Sequence, residues 1–320
     1  MRTYFLRRLF VLLGSLFVIV TVNFVLFRLM PGSPVDTVIS PDFTPEMKAL
    51  LMERYGLNEP YYIQYGLYLK NLISLNFGRS FQTRLPVWDE LLSRLPNTLL
   101  LLGSSFLIMV VTGVALGIFV ASRRGSRWDT VLTGSAVFFG AMPGFFIALL
   151  LLLVFGYYID VFPVHGTMSA PPPTGFWPRV YDRLLHLVLP VASIVVSGVG
   201  SWMMYTRNHL VTTLAADFIR TAQAKGLSKR RVLYGHALRS SLPPLVTLFF
   251  LSLPNIITGA VVIESIFSIQ GIGRYLLQAT LRQDYPAIEG AFFFIAVAVL
   301  LCNLLADFVY RLVDPRIEVR

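Results

Sequence analysis

The sequence predicts an all-α polytopic membrane protein with six transmembrane helices. Charged residues make up only 14% of the 320 residues, whereas hydrophobic residues make up 55% and the mean hydropathy is +0.68. A soluble domain carries about 25% charged residues, so the composition excludes a soluble enzyme and a DNA-binding domain. It also excludes a disordered chain. The single cysteine, Cys302, excludes a disulfide framework and a cysteine-rich metal site.

Six stretches approach or exceed the roughly 20 apolar residues that a membrane-spanning helix needs. They lie at 9–27, 98–121, 130–159, 187–206, 245–263 and 290–306. The first stretch follows a basic start, but it is too long for a secretory signal peptide and no small-residue cleavage site follows it. We therefore predict that it is retained as the first transmembrane helix.

The charges between these stretches predict the orientation of the chain. The basic side holds 16 Lys and Arg against 5 acids and consists of the segments 1–8, 122–129, 207–243 and 307–320. The other side holds 10 Lys and Arg against 12 acids and consists of 31–95, 160–186 and 264–289. Because Lys and Arg mark the cytoplasmic side, both termini are predicted to be cytoplasmic. This asymmetry explains the pI near 9.9, so no nucleic-acid partner is expected.

The segment 31–97 is predicted to be a small helical region outside the cell, between residues 1–30 with the first helix and a five-helix core over 98–320. Its helices are expected to begin at Thr44, Pro60 and Pro86, each of which is followed by apolar residues at helical spacing. Two roles are open for this region, an interfacial spacer and a docking surface for a partner.

The segment 207–243 is the long loop on the basic side, with seven basic residues and Asp217 as its one acid. Its pattern predicts one helix that ends at Gly226 and a second that is capped by Ser228 and stopped by Pro243 and Pro244. A simple connection needs only a few residues. The loop is therefore expected to do more than bind lipid headgroups.

Small and polar residues in the spans have two interpretations. Gly113 with Gly117, and Gly140 with Gly144, have the four-residue spacing that lets helices approach closely. The fifth span is expected to break at Pro254. The polar residues of the fourth and fifth spans either pack between helices or line a solute path; they are Ser193, Ser197, Ser201, Asn255, Thr258 and Glu264.

The chain lacks the sequence motifs of the enzyme classes considered. It contains no phosphate-binding loop GxxxxGK[ST], no HExxH and no GxSxG. The four histidines, which are far apart in the sequence, are expected to be loop or interfacial residues rather than metal ligands. No cofactor or metal is expected in this chain.

Motifs along nearly the whole chain resemble the first permease subunit of the dipeptide, oligopeptide and nickel group of binding-protein-dependent ABC importers. The cytoplasmic loop matches at Ala222, Ala224, Lys225, Gly226, Leu227 and Ser228, and then at 230–231 and 236–239. Further matches lie at 77–80, 95–98, 123–126, 186–190, 264–267, 271–274, 284–286 and 314–316. Arg220 occupies the position where the general importer pattern has glutamate, and this departure is similar to the peptide group.

The resemblance implies a type I importer fold in the plasma (inner) membrane of a bacterium or archaeon. It also implies a homologous second permease, two ABC ATPase subunits that bind ATP and Mg²⁺, and an extracytoplasmic substrate-binding protein. The loop around Gly226 would be the coupling helix, with Ala222 packed into the ATPase surface. Peptides, nickel chelates, glutathione and short sugars are all solutes compatible with the group.

A self-sufficient secondary transporter or channel is the alternative function. It is disfavoured by six spans without an evident internal repeat and by few ionisable residues within the spans. A third function, that of an intramembrane enzyme, is disfavoured because the spans lack the catalytic residues that such an enzyme needs. Copurification of ATPase subunits together with ATP-dependent uptake would support the importer, whereas proton-coupled uptake by the chain alone would support the alternative.

The orientation is testable by cysteine labelling on a Cys302→Ser background. A cysteine introduced at position 60 should react with a membrane-impermeant maleimide added from outside, because 31–95 is predicted to be external. Cysteines at positions in 207–243 should react only after the membrane is opened. Labelling of position 60 from the cytoplasmic side alone would contradict the predicted topology.

Overall fold

The fold consists of α-helices with short π-helical segments. The computed structural model describes residues 2–29 and 58–313, and the side chains of 2–6, 27–29, 255–260 and 310–313 are not described. The helix predicted to begin at Thr44 lies outside the described residues. The helices are α1 (Arg2–Leu29), α2 (Tyr61–Ile73), α3 (Val87–Ser122), α4 (Arg127–Ala141), α5 (Gly144–Leu151), α6 (Phe176–Leu214), α7 (Asp217–Ala224), α8 (Lys229–Arg231), α9 (Leu238–Ile266), α10 (Ile272–Leu281) and α11 (Tyr285–Val313). π-Helical turns extend α5 over Leu152–Tyr158 and join α8 to α9 over Val232–Ala237.

The predicted membrane spans are confirmed within the described residues. Five helical stretches are long and apolar enough to cross a membrane, and they belong to α1, α3, α6, α8 with α9, and α11. The pair α4 and α5 meets the same criterion as a bent span, which gives six.

The third span is bent, so the prediction of one continuous helix over 130–159 is wrong. The axes of α4 and α5 differ by 100° across a short break. Pro143 lacks a backbone N–H and disfavours helical geometry at the preceding residue, and Met142 is accordingly extended, with φ −78° and ψ 135°.

Three further boundaries differ from the predictions because prolines are tolerated inside membrane helices. Helix α9 continues through Pro243, Pro244 and Pro254, so neither the predicted stop nor the predicted break occurs. The helix that begins after Pro86 continues through Pro96 as part of α3 instead of ending outside the membrane. A proline removes one backbone donor, while the surrounding hydrogen bonds and neighbouring helices hold the rest of the turn.

The described residues form two compact units, of which the first comprises those in 1–98 and 270–304. Its core contains Phe24 of α1, Tyr68 of α2, Leu91 of α3 and Ile288 of α11. The prediction that helices begin next to Pro60 and Pro86 is confirmed, and Val87 and Leu91 are fully buried on the core-facing side of α3.

Two buried carboxylates, Asp284 and Glu90, accept hydrogen bonds from the polar loop 74–86, which joins α2 to α3, Glu90 from the Thr83 hydroxyl at 2.9 Å. Asp284 accepts hydrogen bonds from the Ser80 hydroxyl at 2.5 Å and from the backbone N–H of Phe81 at 3.0 Å. Glu90 accepts from the Tyr275 hydroxyl at 2.9 Å and from the Arg94 guanidinium at 3.2 Å. Burial, followed by the charge of Glu90, raises the pKa of Tyr275, so its hydroxyl remains a donor to the carboxylate at neutral pH.

The second unit comprises the described residues in 99–269 and 305–313, and α6 packs closely against its neighbours there. An ideal Cβ on Gly117 of α3 would lie 2.5 Å from the Cβ of Thr206, and one on Gly200 of α6 would lie 2.9 Å from the Cα of Ala136. The predicted close approach at Gly113 and Gly117 is confirmed, since an ideal Cβ on Gly113 would lie 2.5 Å from the Cβ of Trp202. Gly140 is different, because a Cβ there meets no atom within 4 Å.

Gly117→Ala should destabilise the protein by about 1–3 kcal/mol, because the added methyl group overpacks a contact that includes the Met203 carbonyl. The thermal unfolding midpoint of the purified complex measures the effect. Gly103→Ala is the matched control in the same helix, where a Cβ meets no atom within 4 Å. Equal midpoints for the two variants would show that the glycine contact does not limit stability.

Candidate functional site: a basic elbow and an apolar cavity

The predicted helix–glycine–helix elbow is confirmed between α6 and α9. Helix α7 ends at Ala224, Lys225 is its C-cap, and Gly226 adopts the left-handed conformation with φ +79°. Ser228 then caps α8, its hydroxyl accepting a hydrogen bond from the Arg231 N–H at 3.4 Å. Glycine is favoured at such a turn because a Cβ is strained at positive φ.

One side of the elbow is fixed to the rest of the second unit by an apolar cluster. Ile219 and Ala222 of α7 are buried there with Leu210 of α6, and with Val232 and Ala237 of the following π-helical segment. Ala222 is thus largely covered within the chain, and its predicted contact with an ATPase stays a prediction. Its methyl group is already covered by the chain itself, since Ala222 and Ile219 lie three residues apart on the same side of α7.

The opposite side of the elbow is exposed and strongly basic. Lys225, Lys229, Arg230 and Arg231 are all exposed within seven consecutive residues. The aromatic side chains of Phe218 and Tyr234 are also about half exposed, at 48% and 53%. The elbow therefore exposes both cationic and aromatic side chains, a combination suited to an acidic surface with an apolar depression.

An ion pair that the sequence analysis missed joins α4 to α6. The Arg207 guanidinium donates to both carboxylate oxygens of Asp129, from Nε at 2.7 Å and from Nη2 at 2.8 Å. Asp129 also accepts from the Gly125 N–H at 2.9 Å. This bidentate pair fixes the start of α4 beside the part of α6 that leads to the elbow. The only sequence signal was that each residue borders an uncharged span.

The second unit also contains a cavity of about 490 Å³ between α3, α5, α6 and α9. Its walls are mostly apolar, and its hydroxyl groups come from Ser197, Ser201 and Ser252. The remaining lining residues are Leu102, Met109, Gly144, Phe145, Ile194, Gly198, Trp202, Val262 and Ile263. Sequence analysis missed Ser252, which stands apart from the four-residue spacing of the serines in α6.

Two of the serine hydroxyls are bonded to their own helices. Ser197 donates to the Ile194 carbonyl at 2.9 Å, and Ser252 donates to the Leu248 carbonyl at 2.7 Å. Their oxygens therefore face the cavity mainly as acceptors. Such a wall offers weak polar contacts and no charged group among its described lining residues.

The structure brings only part of the predicted polar set to this cavity. Ser197 and Ser201 line it, whereas Ser193 is fully buried with its hydroxyl bonded to the Pro190 carbonyl at 2.7 Å. Glu264 is fully buried near the end of α9 and is not among the lining residues. The side chains of Asn255 and Thr258 lie outside those that the structure describes.

The described residues contain no group of three or more His, Cys, Asp or Glu side chains that could hold a metal ion. The elbow offers an exposed basic surface, and the cavity offers an apolar space lined by serine hydroxyls.

Comparison with known proteins identifies the family. The model of the binding-protein-dependent transport system inner membrane component matches residues 113–319, and the model of the N-terminal part of that membrane component matches 1–102. The oligopeptide transport system permease protein AppB of Bacillus subtilis (strain 168) is 35% identical over 99% of this chain and 100% of its own length. The di/tripeptide transport system permease protein DppB of Pseudomonas aeruginosa (strain UCBPP-PA14) is 36% identical over 99% of both chains.

The dipeptide transport system permease protein DppB of Escherichia coli (strain K12) is 32% identical, again over 99% of both chains. These similarities cover all six spans, the elbow and the cavity. Together with the helical architecture, they show that the chain belongs to the family of binding-protein-dependent transport system inner membrane components and is a multi-pass permease subunit of an ABC importer.

Proposed function

We propose that this permease subunit conducts a peptide-like solute, and that the elbow is its contact with an ATPase. The elbow's exposed basic and aromatic side carries the proposal, because the rest of the elbow is buried against the chain itself. The solute class rests on relatives named as dipeptide, di/tripeptide and oligopeptide permeases. The complete system also contains a homologous second permease, two ATPase subunits and an external substrate-binding protein.

The packing of the elbow supports a direct mechanical route to the cavity. Helix α7 packs on Leu210 of α6 and on Val232 before α9. Those same two long helices supply the cavity serines, Ser197 and Ser201 from α6 and Ser252 from α9. A displacement of α7 is therefore passed to both helices, because a packed apolar cluster moves as a body rather than deforming continuously.

The basic charge of the elbow fits an acidic rim around the ATPase groove. Complementary charge of this kind steers association and fixes the register of the two surfaces. ATP and Mg²⁺ are bound by the ATPase subunits in this proposal, and the permease contributes the path and the coupling surface but no catalytic group.

The orientation completes the proposal. With both termini and the elbow in the cytoplasm, the elbow reaches the ATPases and the first unit's polar loop faces the external binding protein. Purification distinguishes this arrangement from a self-sufficient transporter. The importer should copurify with ATPase subunits and require ATP for uptake, whereas uptake by the permease alone on a proton gradient would refute the proposal.

Gly226→Val should abolish solute-stimulated ATP hydrolysis while the protein stays in the membrane. Valine at φ +79° is strained by roughly 1 kcal/mol or more. The turn that presents Lys225 and Lys229 should therefore change shape. ATPase activity of the reconstituted complex, with and without loaded binding protein, measures the loss.

Gly125→Val is the matched control for this experiment. Gly125 has the same φ of +79°, and a Cβ at either glycine meets no atom within 4 Å, but it lies in the loop between α3 and α4. Stimulation should survive in Gly125→Val. Normal transport by an intact Gly226→Val complex, or equal loss in both variants, would show that the elbow is not the specific coupling element.

Ser201→Trp should block solute uptake and leave assembly unchanged, because Ser201 lines the cavity and is exposed in it. Ser197→Trp should also block uptake, although there is less space there, since an ideal Cβ on Gly144 would lie 3.6 Å from the Ser197 oxygen. Uptake into proteoliposomes and size-exclusion chromatography measure the two properties.

Leu107→Trp is the matched control, since this α3 residue is 59% exposed and does not line the cavity. It should transport normally. If both serine variants fail to assemble, the serines serve helix packing; if both transport normally, the cavity is not on the solute path.

A further inference from the structure

Helix α2 has an apolar surface that the described residues of the chain leave uncovered. Among its 13 residues, YYIQYGLYLKNLI, Lys70 is the one charged side chain. Gln64, Tyr68 and Leu72 face the core of the first unit. A helix on the surface of a soluble region normally has polar residues opposite its buried face.

The face opposite the core carries four large apolar or aromatic side chains. Their exposed fractions are 76% for Tyr62, 36% for Ile63, 44% for Leu67 and 87% for Ile73. Lys70 is exposed on the same side of the helix. Exposure of this much apolar surface to water is unfavourable, so the face requires an apolar environment.

The contacts between α2 and α1 indicate how deep in the membrane α2 lies. The Tyr65 hydroxyl lies 2.6 Å from the Thr21 hydroxyl, and the Phe24 ring packs edge-on against Tyr65 with centroids 5.1 Å apart. Thr21 precedes the end of the uncharged stretch 9–27 by six residues, which is about 9 Å along a helix. The side of α2 that packs on α1 therefore lies beside the part of α1 that crosses hydrocarbon.

The exposed surface of α1 is also apolar where α2 packs against it. Phe17, Val18, Val22 and Val25 are each close to half exposed or more. In a membrane-spanning helix these side chains contact acyl chains. Lipid already surrounds the element against which α2 packs, so it is the apolar environment within reach of the exposed face of α2.

We propose that α2 is an interfacial helix lying in the leaflet opposite the N terminus. Tyr62, Ile63, Leu67 and Ile73 contact lipid at the boundary between acyl chains and headgroups, and the Lys70 ammonium reaches the phosphates. Tyrosines are enriched at this boundary, and lysine places its charge in the headgroup layer while its methylenes stay in the apolar layer. The face is thus occupied by lipid rather than by a soluble binding protein.

Spin labels at two positions test the proposal in the complete importer, reconstituted into nanodiscs of phosphatidylcholine and phosphatidylglycerol. The variants Tyr62→Cys and Leu67→Cys are made on a Cys302→Ser background and carry a nitroxide. Power saturation compares collisions with O₂, which partitions into lipid, and with a water-soluble nickel chelate. Both labels should favour O₂.

Two matched controls calibrate the measurement. Val18→Cys, on the exposed side of α1, should favour O₂, and Gln82→Cys, in the exposed polar loop, should favour the nickel chelate. Labels at 62 and 67 that behave like Gln82→Cys would place the face in water. Labels shielded from both reagents would mean that protein covers it. Either result overturns the proposal.

A second measurement does not depend on the nitroxide, which is itself apolar. Leu67→Asp should lower the thermal unfolding midpoint of the nanodisc complex, whereas Gln82→Asp should leave it unchanged. An unchanged midpoint for Leu67→Asp would contradict lipid contact at this position, because a carboxylate is strongly disfavoured at the acyl boundary.

Discussion

The close packing of α6 against α3 and α4 is the constraint on which the second unit depends. In hydrocarbon the hydrophobic effect does not drive helices together, and contact between small-residue surfaces takes its place. Gly113, Gly117 and Gly200 bring backbones together where a methyl group would collide with the neighbouring helix. These contacts hold α6 over residues 199–206, next to the cavity residues Ser197 and Ser201.

The two sides of the elbow differ in burial, so one side can attach it to the rest of the chain while the other stays exposed. Ile219 and Ala222 hold it to α6 and to the turns before α9, while Lys225 and the basic residues after Gly226 remain exposed. A contact surface can transmit a displacement only if it is attached firmly to what must move. The apolar cluster supplies that attachment, and the charged side is the surface that we propose for contact with an ATPase.

The cavity has a chemical character that differs from that of a binding site for one ligand. Its hydroxyls are partly used within their own helices, and apolar side chains such as Met109 and Phe145 make up most of its described lining. Tight recognition needs several directed polar groups. Weak and adaptable contacts are compatible with the solute path that we propose, and methionine in particular adapts to varied shapes.

The sequence by itself determined the membrane class, the six spans and the elbow. These follow from local physics: uncharged length fixes a span, and a glycine followed by a serine cap fixes a turn between helices, as Gly226 and Ser228 do. The charge asymmetry also predicted the orientation from the sequence, because counting Lys and Arg on each side requires no knowledge of how the helices pack. The resemblance of the loop motifs to importer permeases led to the family that the comparisons identified.

Only the tertiary structure decided which side each residue faces and which helices continue. Ala222 turned inward because Leu210 and Val232 cover it, and Ser193 is buried while Ser197 and Ser201 line the cavity. The pair of Asp129 and Arg207 joins residues 78 positions apart, a separation that no local pattern encodes. A proline ends the helix next to Met142, whereas α9 continues through three prolines, because the cost of one lost backbone donor depends on the groups that surround it in space.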